Sequence, residues 1–252
     1  MKNPEQWLPT KYVWRGAQLR ASRDTAQVGV GSRLIADAVA ACYQQHLPRH
    51  ARGRLADLGC GRAPLYLLYA RHVTQTVCVD WAESLHANPH LDHIVDLNRP
   101  LPFDDASFDT LILSDVLEHV AEPLGLWSEM ARVLAPGGSL LLNVPFLYGI
   151  HEAPHDYARY TEHALRRFAQ GCGLTVLVLQ PVGGSVAVLA DLLAKHLQAL
   201  PVFGRALASA VQGLASGFAR WPPGRRVEAR TASHFPLGYF MVVTRPLNGA
   251  AT

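Results

Sequence analysis

Short apolar runs and amphipathic stretches alternate along the chain. The apolar runs are nearly continuous and end at turn-forming residues, which is typical of strands buried on both faces of a parallel sheet. They predict seven strands, at residues 55–58, 75–80, 93–96, 108–115, 139–145, 174–179 and 239–244. Apolar residues at three- and four-residue spacing predict helices at residues 32–46, 64–71, 123–134 and 161–168. We therefore expect an α/β fold: a seven-stranded, mostly parallel sheet with one antiparallel strand, helices on both faces and a helical insert before the last strand.

Two regions do not follow this alternation. Residues 1–30 mix aromatic and basic side chains without a clear period, and we expect an N-terminal arm or cap over the substrate opening. Residues 183–234 contain two helix-like apolar segments separated by Pro201 and Gly204. The predicted core domain is therefore 31–182 together with 235–247.

The role of the insert stays open between three interpretations. Charged residues interrupt its apolar segments, so neither reaches the roughly 20 apolar residues of a membrane span. The insert is then a lid, a homodimer face, or an interfacial helix pair that binds the inner membrane face through residues 185–226. In the last case the basic residues from Arg220 onward would lie at the level of the headgroups.

The turn after the first strand predicts a small ligand. The strand ends in Asp57, and Gly59 and Gly61 allow positive φ and close approach of a ligand. A dinucleotide-binding turn has a third glycine where this chain has Pro64, which offers no N–H to a phosphate. The Lys-Ser/Thr pair of a P-loop is also missing. A nucleoside without phosphates and with positive charge fits best, and S-adenosylmethionine has both properties.

An acid also ends the second strand. Asp80 follows Asp57 at about the spacing at which a carboxylate accepts both ribose hydroxyls of a nucleotide on the first turn. Trp81 comes next, and two roles stay open for its indole: contact with the adenine face, or packing in the core.

Four separated segments resemble, in order and spacing, the motifs of the Rossmann-like, class I S-adenosylmethionine-dependent methyltransferases. They are residues 57–61, 80–81, 96–97 and 101–120. The resemblance implies S-adenosylmethionine as cofactor and a set of residues that contact it: Asp57, Gly59, Cys60, Gly61, Asp80, Trp81, Asp96, Leu97, Ser114 and His119.

The loop after the fifth strand carries the candidate catalytic residues. Ligands of open α/β sheets bind at the carboxyl ends of the strands, where this loop lies. Residues 151–161 resemble a His-Glu-x-Pro-His-Asp-Tyr-x-Arg-Tyr-Thr stretch of many bacterial members of the superfamily. A histidine oriented by a carboxylate would remove the proton of a hydroxyl acceptor. The predicted catalytic residues are His151, His155, Glu152 and Asp156, and which histidine pairs with which carboxylate stays open.

Aromatic and basic side chains of the same loop suit an oxygen-rich or anionic acceptor. The predicted substrate-binding residues are Tyr148, Tyr157, Arg159 and Tyr160. A purely structural role, in which the polar groups of the loop bond to one another, is the alternative.

Two histidine spacings suggest a metal, but we expect none to be bound. Residues 151–155 match the H-E-x-x-H of zinc hydrolases, a motif that works only on a helix, and Pro154 would break that helix. His86, His90 and His93 lie where no helix is predicted to align them.

Composition limits the remaining function classes. The 252 residues are 49% hydrophobic, enough for one large domain with additions. A net charge of +3 is too small for a nucleic-acid partner. The four cysteines contain no CxxC pair, which predicts reduced thiols, and residues 1–7 lack the apolar core of a signal peptide. We therefore expect a cytoplasmic location.

The sequence thus predicts an enzyme of biosynthesis that transfers a methyl group to a small-molecule acceptor, at a hydroxyl of a sugar, a phenol or a secondary metabolite. One alternative is a nicotinamide-dependent oxidoreductase, which Pro64 disfavours. The other is a catalytically silent, methyltransferase-like binding subunit, which the joint presence of Asp57, Gly59, Gly61 and Asp80 disfavours.

Overall fold

The computed structural model describes residues 1–83 and 88–247. A short hairpin, β1 (Tyr12–Arg15) and β2 (Gln18–Ala21), precedes a larger sheet. The strands of that sheet are β3 (Arg54–Leu58), β4 (Gln75–Asp80), β5 (His93–Ile94), β6 (Phe108–Ser114), β7 (Leu134–Pro145), β8 (Thr175–Val182) and β9 (Gly238–Thr244). The α-helices are α1 (Arg33–His50), α2 (Tyr66–Tyr69), α3 (Pro123–Val133), α4 (Glu162–Gly171), α5 (Ser185–Gln198), α6 (Gly204–Arg220) and α7 (Pro222–Thr231).

The larger sheet has the order β5-β4-β3-β6-β7-β9-β8. β9 runs antiparallel to both of its neighbours, and the other pairs are parallel. The predicted seven-stranded sheet with one antiparallel strand is confirmed. Strand order reverses between β3 and β6, and ligands of open α/β sheets bind at such a reversal, outside the carboxyl ends of the strands.

Two apolar clusters cover the two faces of the sheet. Along β6, Leu111 and Leu113 pack into the cluster that contains Trp127 of α3, whereas Ile112 packs into the cluster on the α1 face. Successive side chains of a strand point to opposite faces, so a strand covered on both sides must be apolar at every position. This double burial explains the nearly continuous apolar runs in the sequence.

Several element boundaries differ from the prediction. The strand predicted at 93–96 has only two residues, because the Asp96 side chain accepts the backbone N–H of Asn98 at 2.9 Å and turns the chain. β7 begins at Leu134 and includes the predicted turn at 136–138, since Gly137 N donates to Arg245 O at 2.7 Å and continues the ladder. The predicted cap of α4 is confirmed, because Thr161 Oγ1 accepts from Ala164 N at 3.3 Å.

Two elements were not predicted. The hairpin β1–β2 lies within the region expected to be an irregular arm. The basic residues that follow Arg220 lie in α7, with Pro222 in its first turn, where proline is tolerated. Side chains of α7 bond the free N–H groups at the start of α5: Glu228 accepts from Ala187 N at 2.9 Å and Thr231 from Ser185 N at 3.0 Å.

Among the described residues, no helix combines the length and the apolar character needed to cross a membrane. Of the three histidines whose spacing suggested a metal, His86 lies outside the described residues. His90 is buried with its Nδ1 3.1 Å from the Lys2 carbonyl oxygen, and His93 packs edge-on against Phe103.

Candidate functional site

A cavity of about 490 Å³ opens at the carboxyl ends of β3, β4 and β6, and this volume lies within the usual range for small-molecule sites. Nine of the ten residues predicted to contact the cofactor line it: Gly59, Cys60, Gly61, Asp80, Trp81, Asp96, Leu97, Ser114 and His119. Asp57 is the exception.

The turn after β3 needs its first glycine for two reasons. Gly59 has φ 67°, and a Cβ there would lie 2.5 Å from Val116 Cγ2. The N–H groups of Gly59 and Cys60 donate to Val79 O at 2.8 and 3.0 Å, which ties the turn to β4. The backbone therefore faces the cavity without a side chain in the way.

Asp80 is held by backbone amides at the end of β4. Its carboxylate accepts from Gly61 N at 3.0 Å and from Trp81 N at 2.8 Å, and the residue is only 6% exposed. The fixed position of Asp80 in the cavity wall fits the predicted contact with ribose hydroxyls.

Asp57 lies behind the wall. It is 3% exposed, and it accepts a hydrogen bond from the Tyr69 hydroxyl at 3.0 Å. Burial raises the pKa of Asp57 to about 7, against the lowering effect of the Tyr69 bond. Asp57 does not line the cavity, because Tyr69 of α2 covers its carboxylate, and its predicted contact with the cofactor stays a prediction.

The N-terminal arm supplies a cation to the cavity wall beside the end of β6. Lys11 Nζ lies 2.6 Å from Asp115 Oδ2, and Asn143 Nδ2 donates to the other oxygen of the same carboxylate at 2.5 Å. Burial alone would lower the pKa of Lys11, but Asp115 raises it above its ordinary value. Trp7 Nε1 donates to Ala63 O at 3.1 Å and fastens the arm to the glycine turn. Sequence reasoning missed Lys11, because nothing local connects residue 11 to β6.

One predicted catalytic histidine lines the cavity. The His155 ring meets the Trp81 indole edge-to-face, with centroids 4.9 Å apart, and its Nδ1 lies 3.1 Å from the Tyr157 hydroxyl. Glu152 and Tyr157 line the same wall. His155, Glu152 and Tyr157 are thus the loop residues that can meet a substrate beside the cofactor.

The other predicted loop residues lie outside the cavity wall. Asp156 accepts two bonds from the Arg159 guanidinium, at 2.5 and 2.7 Å, and the backbone N–H of His151 at 2.9 Å. This arginine holds the pKa of Asp156 well below its usual range. Tyr160 is buried and donates to Leu117 O at 3.3 Å. Asp156, Arg159 and Tyr160 therefore hold the loop in shape, as the structural alternative expects.

Tyr148 is partly buried and does not line the cavity. Its hydroxyl lies 3.0 Å from Ser32 Oγ, and Lys195 Nζ of α5 lies 3.2 Å from the centre of its ring. The Tyr148 hydroxyl thus joins the loop to the residue before α1, and its ring joins the loop to the insert, where cation and ring attract each other.

A second polar cluster, formed by Glu118, His119 and His151, lies beside the cavity. The sequence analysis named the two histidines but not Glu118. Glu118 is fully buried, and its Oε1 lies 3.8 Å from His119 Nε2 and 3.7 Å from His151 Nε2. Burial raises the pKa of Glu118, and the Glu118 carboxylate in turn raises the pKa of His151. Residues 151–160 contain no helix, which confirms that the H-E-x-x-H stretch does not form a zinc-hydrolase helix.

Comparison with known families places part of the chain. Residues 56–142 match a family model described as methyltransferase domain. The demethylmenaquinone methyltransferase of Renibacterium salmoninarum is 32% identical over 115 residues, which cover 44% of this chain and 45% of that protein. The ubiquinone biosynthesis O-methyltransferase of Xanthomonas campestris pv. campestris is 32% identical over 100 residues, which cover 36% and 42%. The chain thus spans less than half the length of these relatives.

Solved structures share the fold. A cyclase, SpnF, superposes with a TM-score of 0.56 at 20% identity over 96% of this chain and 89% of that one. A methyltransferase bound to the Trm112 activator of Haloferax volcanii gives 0.56 at 19% identity over 88% and 95%. Identities at this level establish the fold alone.

The matched residues begin within β3 and end within β7, so they contain the glycine turn, Asp80 and the β6 segment of the cavity. The chain therefore contains a region similar to a methyltransferase domain, on a sheet whose fold it shares with solved methyltransferase structures.

Proposed function

We propose that the protein transfers the methyl group of S-adenosylmethionine to a hydroxyl oxygen of a small molecule, with His155 as the base. One observation carries the proposal: a single cavity brings the glycine turn and Asp80 together with the imidazole of His155. The names of the partial relatives, an O-methyltransferase and a methyltransferase of quinone biosynthesis, support a small-molecule acceptor.

The cofactor end of the cavity fits the nucleoside. Asp80 would accept the ribose hydroxyls, and the Trp81 indole and Leu97 would bound the adenine. Asp115 and Ser114, at the end of β6, would lie along the amino-acid part. Bound S-adenosylmethionine supplies an electrophilic methyl carbon on a sulfonium.

The loop end would position the acceptor and take its proton. Methyl transfer needs the acceptor oxygen about 3 Å from the methyl carbon and in line with the C–S bond, so positioning supplies much of the acceleration. When His155 Nδ1 donates to the Tyr157 hydroxyl, Nε2 carries the lone pair. Nε2 would then accept the proton of the acceptor O–H as the oxygen takes the methyl group, and the C–S bond electrons would stay with sulfur in the leaving S-adenosylhomocysteine.

A label-transfer screen tests this assignment. Tritiated cofactor is incubated with phenols, catechols and sugars, and labelled product is extracted and counted. Once an acceptor is found, His155→Ala should lower kcat by about 100-fold or more while the affinity for S-adenosylhomocysteine stays the same. His163→Ala, at an exposed histidine of α4, is the matched control. A His155→Ala enzyme with parental kcat would show that proton removal by this residue is not part of the reaction.

We also propose that the insert binds an anionic membrane surface. No described residue of 183–234 lines the cavity, which argues against a lid. Exposed apolar side chains recur along α5 and α6 and in the residues that follow each helix: Leu189, Leu193, Leu200, Leu207, Leu214, Phe218 and Trp221. Residues 183–234 contain six Lys/Arg and two acids, whereas the whole chain has a net charge of only +3. Exposed apolar side chains flanked by cations are typical of interfacial helices.

A further inference from the structure

Glu118 is a buried carboxylate without a hydrogen bond to either oxygen. The residue is 0% exposed, and neither Oε1 nor Oε2 has a hydrogen-bond partner among the described residues. The nearest imidazole nitrogens are 3.7 and 3.8 Å away, beyond hydrogen-bond distance. An unsatisfied buried polar group destabilises a fold by about 1–3 kcal/mol, more when it is charged. A cation bound beside the Glu118 carboxylate would remove that penalty.

Two imidazoles face this carboxylate through the same ring nitrogen. His119 Nδ1 lies 2.7 Å from the carbonyl oxygen of His155, so Nδ1 carries the proton and Nε2 the lone pair. His151 Nδ1 lies 3.3 Å from Gly149 O and 3.4 Å from Asp156 Oδ2, which again leaves Nε2 toward Glu118. Histidines that bind metals donate their other N–H to a backbone carbonyl or a carboxylate in this way.

We propose that Glu118, His119 and His151 form a binding site for a divalent transition-metal ion, with Zn²⁺ as the best fit. Their ligand atoms all lie within 4.8 Å of one another. A tetrahedral zinc with bonds of about 2.0–2.2 Å places neighbouring ligand atoms about 3.3–3.6 Å apart. The Glu118–His119 and Glu118–His151 distances of 3.8 and 3.7 Å lie within a few tenths of an ångström of that geometry. Two imidazoles among three ligands favour a transition metal over Mg²⁺ or Ca²⁺, which prefer oxygen ligands.

The site borders the cofactor cavity. His119 lines the cavity wall, and so does Glu152, whose Oε2 lies 3.9 Å from His119 Nε2. Glu152 is half exposed, so its carboxylate could serve as the fourth ligand of the metal ion. If it turns away, the fourth coordination position would be open toward the cavity.

The proposed site differs from the sequence analysis, which expects no bound metal. Its ligands also differ from those of the H-E-x-x-H pattern. That pattern pairs His151 with His155, but the His155 ring contacts Trp81 and Tyr157 instead. The residues that join His151 come from the short 3-10 helix Leu117–His119 after β6. The loop is held against that helix, because Tyr157 N donates to Glu118 O at 2.9 Å.

Metal binding can be measured without an acceptor or methyl transfer, so its outcome is separate from that of the proposed function. The full chain, free of any affinity tag, is stripped with chelator, dialysed, and titrated with Zn²⁺ by calorimetry. Co²⁺ is added to a parallel sample, whose visible absorption reports nitrogen and oxygen coordination. We expect one ion per chain and a higher melting temperature with metal, since the folded state alone has the assembled site.

Variants identify the ligands. His151→Ala should weaken Zn²⁺ binding by about 100-fold or more, and Glu118→Gln should do the same while keeping the shape of the side chain. His155→Ala and His163→Ala should bind as the parent does, because neither side chain is a ligand. Circular dichroism confirms folding, and His151→Ala, at a partly exposed residue, decides the case if Glu118→Gln unfolds.

Three results would overturn the proposal. The first is a stripped and reloaded parent that holds less than about a tenth of an ion per chain. The second is a folded His151→Ala chain that binds Zn²⁺ as tightly as the parent, which would place the ion on thiols or surface histidines. The third is loss of binding in His155→Ala with retention in His151→Ala.

Discussion

Asp80 is the residue on which the cofactor end of the cavity depends most. Replacing it with alanine removes the proposed acceptor of two ribose hydroxyls, and hydrogen bonds to a charged group contribute about 1.5–3 kcal/mol each. Since 1.4 kcal/mol corresponds to a tenfold change, the dissociation constant of S-adenosylhomocysteine should rise by at least about tenfold. Titration calorimetry measures this change.

The same substitution also removes the acceptor of Gly61 N, so the melting temperature of Asp80→Ala must be measured beside its affinity. Asp104→Ala, at an exposed acid that does not line the cavity, is the control. If folded Asp80→Ala binds the ligand as the parent does, the acid at the end of β4 does not contact the cofactor.

Asp57 makes the stability of the ligand-free protein depend on pH. Its folded-state pKa of about 7 lies above the unfolded value near 3.9, so the folded state favours the protonated carboxyl. This contribution is complete below pH 4 and is lost as pH rises through 7. Between pH 5 and pH 8 the parent should lose about 2–3 kcal/mol of unfolding free energy relative to Asp57→Asn.

Urea denaturation of both proteins at the two pH values measures this difference, and the comparison cancels the other titrating groups. Equal changes for parent and Asp57→Asn would show that the Asp57 carboxyl ionises in the folded protein as easily as in the unfolded one.

Sequence reasoning located single residues well where a local rule applied. Gly59, Gly61 and Asp80 follow from the strand-turn-helix pattern, and all three line the cavity. Lys11 and Glu118 did not follow, because their importance comes from groups distant in sequence: Asp115 for Lys11, and His151 for Glu118. A short polar motif also cannot tell a residue that faces the cavity from one that supports the loop.

At the scale of elements, strands were predicted best because double burial leaves a clear signal. β4 has the predicted bounds, 75–80, and β6 ends one residue before the predicted 108–115. The hairpin β1–β2 is short and packs on α1, so its pattern mixes exposed and buried positions. α7 begins with Pro222-Pro223-Gly224, and four of its ten residues are charged, so it has little apolar period to detect.

The exposed apolar side chains of α5 and α6 predict that the protein binds anionic vesicles. The parent should sediment with vesicles that contain phosphatidylglycerol and much less with phosphatidylcholine alone. Changing both Leu214 and Phe218 to glutamine should lower binding about tenfold or more, because burying a large apolar side chain contributes about 1.5–3 kcal/mol. Leu124→Gln, at an exposed leucine of α3, is the matched control.

Parent protein that stays in the supernatant with both kinds of vesicle would contradict the membrane assignment. Sedimentation velocity on the same sample would then show whether these exposed side chains form a dimer face instead.

For the whole molecule, fold and reaction are separate questions. The architecture is shared with a cyclase as well as with methyltransferases, so the arrangement of the sheet does not by itself establish methyl transfer. The chemistry of the cavity distinguishes the alternatives, since Pro64 lines it where a dinucleotide-binding turn has glycine.

The central claim is that the cavity binds S-adenosylmethionine and not a dinucleotide. Titration of the purified chain with S-adenosylhomocysteine and, separately, with NAD tests it most directly. A cavity built for a nucleoside without a pyrophosphate should bind S-adenosylhomocysteine at one molecule per chain and give no binding heat with NAD at the same concentrations. Binding of NAD together with no binding of S-adenosylhomocysteine would contradict the account.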